Sequence, residues 1–182
     1  AAAAARRGAT VTLVTAGPGI EHPRVTVIPV ETASEMAEAT WVAAAEADIA
    51  VMAAAVADFR PVSPLDGKLR RSDGPPVIDL EPTTDVLGGI AAMVDRPFLV
   101  GFAAEVGGLD EAVAKARRKG VDLLVANDIA APGSGFGTET NQVTIVLPDG
   151  AAEPWSLMSK SEVAERLWAR IAELRKREGP AT

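Results

Sequence analysis

The sequence predicts a three-layer α/β fold, and three observations carry that expectation. Short apolar runs alternate with amphipathic stretches from one end of the chain to the other. Several of those runs are continuous and β-branched, the composition of strands buried on both faces of a parallel sheet. The chain has 182 residues, 48% of them hydrophobic and only 4% aromatic, so one core filled by Ala and Val can form.

The elements follow in order. Ala1 to Ala5, then Arg6, Arg7 and Gly8, read as the end of a helix, with basic residues in the last turn and Gly8 as the C-cap. A chain that opens on the second half of a helix is expected to be the downstream part of a longer polypeptide. Strands are expected at 11–15, 25–30, 49–54, 77–80, 98–103, 123–126 and 143–147. Helices are expected at 33–47, 85–93, 109–119 and 159–177. Ser34 reads as the N-cap of the first of these, with Ala37, Trp41 and Ala44 facing inward. The last begins at Ser159 and Ser161 and carries the stripe Val163, Leu167, Trp168, Ile171 and Leu174, a core or partner surface. Strand–helix alternation of this kind implies right-handed crossovers. Two Pro/Gly-rich segments interrupt it, 59–76 and 131–141, and each reads as a functional lid or a mobile surface loop.

Composition excludes several function classes. A charged fraction of 24% and mean hydropathy of +0.15 describe a folded chain. The net charge of −7 argues against wrapping duplex nucleic acid. With no cysteine there is no disulfide, thiolate zinc site or cysteine nucleophile, and no sign of secretion. The single histidine, His22, excludes a histidine-cluster metal site and leaves little room for a Ser-His-Asp triad. No run reaches the roughly 18 apolar residues of a membrane span, and the start lacks the order of a signal peptide. A cytoplasmic location is expected.

In open α/β sheets, ligands sit beyond the carboxyl ends of the strands. After 49–54 come small residues and Asp58, placed to accept from a sugar hydroxyl, to hold a cation, or to close a local turn. Lys68, Leu69, Arg70 and Arg71 put three cations into four residues of an acidic protein. That suits a phosphate, lysine acting as a point charge and arginine as a fork, or else a solvated basic loop. Thr83 or Thr84 reads as the N-cap of the 85–93 helix, whose free amides suit an anion or need only the cap. Phe102 at a strand end can stack on a base or fill the core. Lys115 and Lys119, spaced i,i+4, share a helix face and form a second basic patch with Arg117 and Arg118. Taken together these point to a nucleoside triphosphate or another polyphosphate.

The residues also carry a family pattern. Ala54-Ala55-Val56-Ala57-Asp58-Phe59-Arg60-Pro61, Lys68-Leu69-Arg70-Arg71, Val100-Gly101-Phe102-Ala103-Ala104-Glu105, Val125-Ala126-Asn127-Asp128-Ile129, and Gly135-Phe136 with Asn141 occur in that order. The chain, from about Gly8 to Arg175, resembles phosphopantothenoylcysteine synthetase, the C-terminal half of a bacterial bifunctional decarboxylase–ligase. The resemblance implies a Rossmann-like three-layer fold with a mostly parallel central sheet and a C-terminal strand extension. It implies CTP-dependent ligation of 4′-phosphopantothenate to L-cysteine through an acyl-cytidylate, with Mg2+ or Mn2+. FMN would belong only to the decarboxylase half. The partners implied are a second copy in a homodimer, or a higher oligomer through that other half, with neither nucleic acid nor membrane.

Residue by residue, the resemblance implies that Lys68 is catalytic and contacts CTP phosphate, as the first lysine of a K-x-K-K motif whose last two positions are Arg70 and Arg71 here. It implies nucleotide contacts at Met52, Ala53, Ala54, Asp58, Thr84, Asp85, Val86, Leu87, Phe102, Lys115 and Lys119, with Asp58 also the metal ligand. Asn127 and Asp128 match a further motif. The family's opening strand, glycine-rich turn and Asn-x-Ser-Ser-Gly-like stretch have no counterpart here, so a single ligase domain over 1–182 is expected, incomplete for catalysis without them. Two other readings are weighed against this one. A dinucleotide oxidoreductase would want G-x-G-x-x-G leading into a helix, which Ala16-Gly17-Pro18-Gly19 does not supply. A non-catalytic oligomerisation domain would use the apolar last helix.

Overall fold

The structure, a computed structural model, describes residues 1–63, 67–68, 70, 74, 76–105, 108–128 and 137–177. Its centre is a five-stranded sheet in the order β10-β9-β7-β6-β3. Strands β3 (Ile49–Met52), β6 (Phe98–Glu105) and β7 (Leu123–Asp128) run parallel. Strands β9 (Val143–Val146) and β10 (Ala152–Pro154) extend the sheet antiparallel beyond β7, which is the strand extension at the C-terminal side. A separate parallel pair joins β1 (Val11–Thr15) to β2 (Val25–Pro29) in register from Val11↔Val25 to Thr15↔Pro29.

Period-two alternation along β6 and β7 divides the core between the two faces of the sheet. Leu99, Ala103, Leu124 and Ala126 face α2 (Ala33–Ala44), α3 (Val86–Ala91) and α4 (Leu109–Lys119). Val100, Leu123 and Val125 face α5 (Lys160–Arg177), whose Val163, Leu167 and Ile171 are buried. A fully buried side chain of that size contributes about 1.5–3 kcal/mol. The apolar stripe expected on the last helix is therefore core. The face toward α4 is built from small residues, Ala112 and Ala116, so that helix lies close to the sheet. Gly120, at φ +64, ends α4 in the left-handed conformation that a side chain disfavours, and the chain turns into β7. On the opposite face the short helix α1 (Ala2–Arg6) packs on α5, tied by Arg6 and Arg7 to Glu165. Arg7 is its cap, with Gly8 one residue beyond at φ +93.

Four expectations change. The N-cap of α2 is Thr32, not Ser34: its hydroxyl accepts from the Glu35 amide while the Glu35 carboxylate accepts from the Thr32 amide. Ser34 instead accepts from Arg60. The strand expected at 77–80 is β5 (Leu80–Pro82), paired antiparallel with β4 (Phe59–Pro61) in a ribbon outside the core. Val77 is 92% exposed there, so an apolar run between prolines did not mean burial. The α3 cap is Asp85 rather than Thr83 or Thr84, because its carboxylate accepts from the Gly88 amide. Two short strands not anticipated, β8 (Thr140–Asn141) and β11 (Met158–Ser159), pair antiparallel beside the start of α5. Of the segments expected as lids, 64–66, 69, 71–73, 75 and 131–136 lie outside the described residues.

Candidate functional site

The parallel strands place their carboxyl ends at one rim. β3 ends at Met52 and leads through the exposed Ala53 and Ala54 to the exposed Asp58. β6 carries Phe102 toward its end, and β7 carries Asn127 next to Ala104 of β6. The base of the ribbon is fastened to this rim: the Thr83 amide donates to the Asp58 carbonyl at 2.9 Å, and the Thr83 hydroxyl donates to the Ala57 carbonyl. Arg60 adds an ion pair to Glu81 at 2.8 Å across the ribbon. Lys68, on the segment joining the ribbon strands, is exposed.

At the start of α3, Asp85 does two jobs. One oxygen caps the helix through Gly88 at 2.9 Å, and the other receives the Lys119 ammonium at 2.7 Å. The hydrogen bond from Lys119, then the one from Gly88, hold the Asp85 carboxyl below the usual aspartate range. Two residues expected separately at the nucleotide are thus each other's partners, and the Lys119 charge is already half of an ion pair. Val86 is buried and Leu87 packs against the core, so their side chains are structural and only their main chain is left for a ligand. Thr84 is exposed and Lys115 half-buried. Phe102 packs in the cluster on the α5 face, whereas Met52 and Leu87 pack in the cluster on the α3–α4 face. The rim therefore draws on both layers. The side chain of Asp128 lies outside the described residues.

Sequence reasoning left Asn127 and Asn141 without a relation to each other. Asn141, on β8, is buried, and its amide nitrogen donates to the Asn127 side-chain oxygen at 3.0 Å. Two clefts of about 430 Å3 lie away from the rim. One runs along α5 between Arg7 and Arg166, and the other sits at the amino ends of the strands beside Asp48, Arg96 and Asp122. Among the described residues no helix is long and apolar enough to cross a membrane, and no group of three or more His, Cys, Asp or Glu could cage a metal.

A mainly parallel sheet, covered by helices on both faces and with polar groups gathered at the carboxyl rim, defines an α/β protein of the class that binds ligands at strand ends. The chain belongs to the DNA/pantothenate metabolism flavoprotein C-terminal domain family, whose profile matches residues 1–174. It is 38% identical over 182 residues to the coenzyme A biosynthesis bifunctional protein CoaBC of Bacillus subtilis, covering 98% of this chain and 45% of that protein. It is 42% identical over 177 residues to a cysteine/cysteine sulfinic acid decarboxylase of an unknown prokaryotic organism, covering 94% of this chain and 49% of that one. The chain thus spans about half the length of these curated relatives. The crystal structure of the C-terminal domain of a CoaBC protein superposes with a TM-score of 0.74 at 36% identity, covering 96% of this chain and 80% of the other.

Proposed function

We propose that the chain is a phosphopantothenate–cysteine ligase domain acting in coenzyme A biosynthesis with CTP as the activating nucleotide. The observation that carries this reading is the gathering at one rim of Met52 to Asp58, Phe102 and Asn127, within a chain 36% identical to the C-terminal domain of a CoaBC protein. In the reaction, the 4′-phosphopantothenate carboxylate attacks the α-phosphorus of CTP and pyrophosphate leaves. The amine of L-cysteine then attacks the acyl carbon of the acyl-cytidylate, loses a proton, and CMP leaves. Such displacements ask the protein for position and charge neutralisation rather than for a nucleophile of its own. Lys68 supplies positive charge to the phosphates, and the small residues Ala53 and Ala54 let a ligand approach the main chain. Asp58 is the residue to hold Mg2+: one carboxylate at the rim fits an ion that keeps its waters and is carried by substrate phosphates. The metal would neutralise the triphosphate.

The test is calorimetric titration of the protein with CTP, ATP and NADH in the presence of Mg2+. Tighter binding of CTP is expected. Equal or tighter binding of ATP would overturn the nucleotide assignment, and preferential NADH binding would move the protein into the oxidoreductases.

A homodimer belongs to the same proposal. Of the nine large apolar side chains that the described residues leave exposed, Phe59, Val62, Val77, Ile78 and Leu80 lie on or beside the ribbon. A lone two-stranded ribbon is marginal in water, so a second copy packing on it would supply the missing cover. The outer edge of the sheet is a three-residue β10 carrying Pro154, a combination that resists pairing with a partner strand.

A further inference from the structure

Asn141 is the one polar residue buried among the described residues, at 7% exposure. A buried amide is costly unless it is bonded, so what it bonds to is informative. Its amide nitrogen donates to the Asn127 side-chain oxygen at 3.0 Å. Asn141 is fixed by its strand: β8 pairs with β11 through Met158↔Asn141, and the Lys160 amide donates to the Glu139 carbonyl at 3.0 Å. Asn127 sits one residue before the end of β7, between Ala104 of β6 and Val143 of β9, and is half-buried. An asparagine amide has an accepting end and a donating end. With its oxygen taken by Asn141, Asn127 is left with its NH2, which makes no hydrogen bond among the described residues.

We infer that Asn141 is a positioning residue: it orients the Asn127 amide so that the rim presents an NH2 donor, at the carboxyl end of β7, to an acceptor atom of the bound nucleotide. The donor's ligand rests on the function proposed above; the orientation itself does not. Binding by a prearranged donor avoids the cost of ordering it at the moment of association.

Two variants separate the possibilities. Asn127→Asp keeps an oxygen for Asn141 to donate to and deletes the NH2. Asn141→Asp removes the donor to Asn127 and offers an acceptor, so the Asn127 amide should turn over and spend its NH2 inside the protein. Each should weaken CTP binding by roughly tenfold, the scale of one hydrogen bond. The two together should weaken it no more than Asn127→Asp alone, the signature of one residue acting through the other. Additive losses, or normal CTP affinity in Asn141→Asp, would overturn the inference. A ligand-free measurement keeps it independent of the nucleotide assignment. In 15N-labelled protein the Asn141 NH2 should exchange with solvent slowly and the Asn127 NH2 fast, and Asn141→Asp should slow the Asn127 signal. If the Asn127 NH2 is the protected one in the native chain, the orientation is wrong whatever the nucleotide. If the orientation stands and CTP does not bind, only the ligand assignment fails. Should Asn141→Asp not fold, the native exchange pattern and Asn127→Asp still decide.

Discussion

Lys68 is exposed, whereas Lys119 is already matched by a carboxylate, and the difference sets what each can contribute. In the reaction proposed above, the Lys68 charge would act on the phosphates as negative charge redistributes when pyrophosphate leaves. Interactions of that kind lower the rate more than the affinity when removed. In protein active as a ligase, Lys68→Gln should cut acyl-cytidylate formation, or its consumption by cysteine, by about 10²-fold with a smaller change in CTP affinity, read by single-turnover assays that follow the acyl-cytidylate and CMP. Normal turnover would leave Lys68 as solvated surface. Asp85 allows a pH test. Its carboxyl is held below the usual aspartate range, so its pairing contributes stability above the unfolded value and loses it as pH falls through the folded one. Asp85→Asn keeps a good cap but loses the pairing with Lys119. Since Asp85 is half-exposed, the loss at pH 7 should be at most about 0.5 kcal/mol. Thermal melts of the two proteins should converge as the pH falls through the folded value, which lies below the ordinary aspartate one. Melts that stay apart there would place the effect in the cap rather than in the charge.

Helices α2 and α3 meet with almost no clearance. Trp41 lies against Gly89, where an added Cβ would stand 2.3 Å from the indole nitrogen, and that nitrogen donates to the Val86 carbonyl at 3.0 Å. Gly89→Ala should therefore expel the indole and destabilise the chain by about 1–3 kcal/mol, with a red shift of Trp41 fluorescence. An unchanged melting temperature would show that the contact gives way freely. Strong periodicity made the long elements legible in sequence: α4 over 109–119 and β1 over 11–15 fall where the pattern put them, and α5 starts one residue late. What misled was local polar chemistry. The Thr32–Glu35 reciprocal cap overrode Ser34 because it satisfies more than one amide, and Asp85 overrode two threonines because its carboxylate takes both the Gly88 amide and the Lys119 ammonium. The rim residues were legible as strand-end chemistry, but the pairing of Asn127 with Asn141 was not: fourteen residues separate them, and it is the antiparallel pairing of β7 with β9, through Asn127↔Val143, that brings Asn141 beside Asn127.

For the whole molecule, the ribbon decides the assembly expected. Phe59→Ser with Leu80→Ser removes two of its exposed apolar groups without touching the core. If the ribbon is the dimer contact, sedimentation at micromolar concentration should show the native chain at about twice its monomer mass and the double variant as a monomer. A native monomer, or an unaltered dimer in the variant, would remove the ribbon from the interface.

The β1–β2 pair shares no strand hydrogen bonds with the five-stranded sheet, and β1 meets the rest chiefly through α2. Parallel strands usually persist by being flanked and covered, yet alternate residues here face solvent at Thr12 and Thr26. That sparse attachment predicts that the pair opens as a cooperative unit of its own. In native-state hydrogen exchange, the amides of β1 and β2 should open well below the energy needed to release those of β6 and β7. A ligand that stiffens the connection through α2 would be visible as slowed exchange in Val11–Thr15, at amides it does not touch.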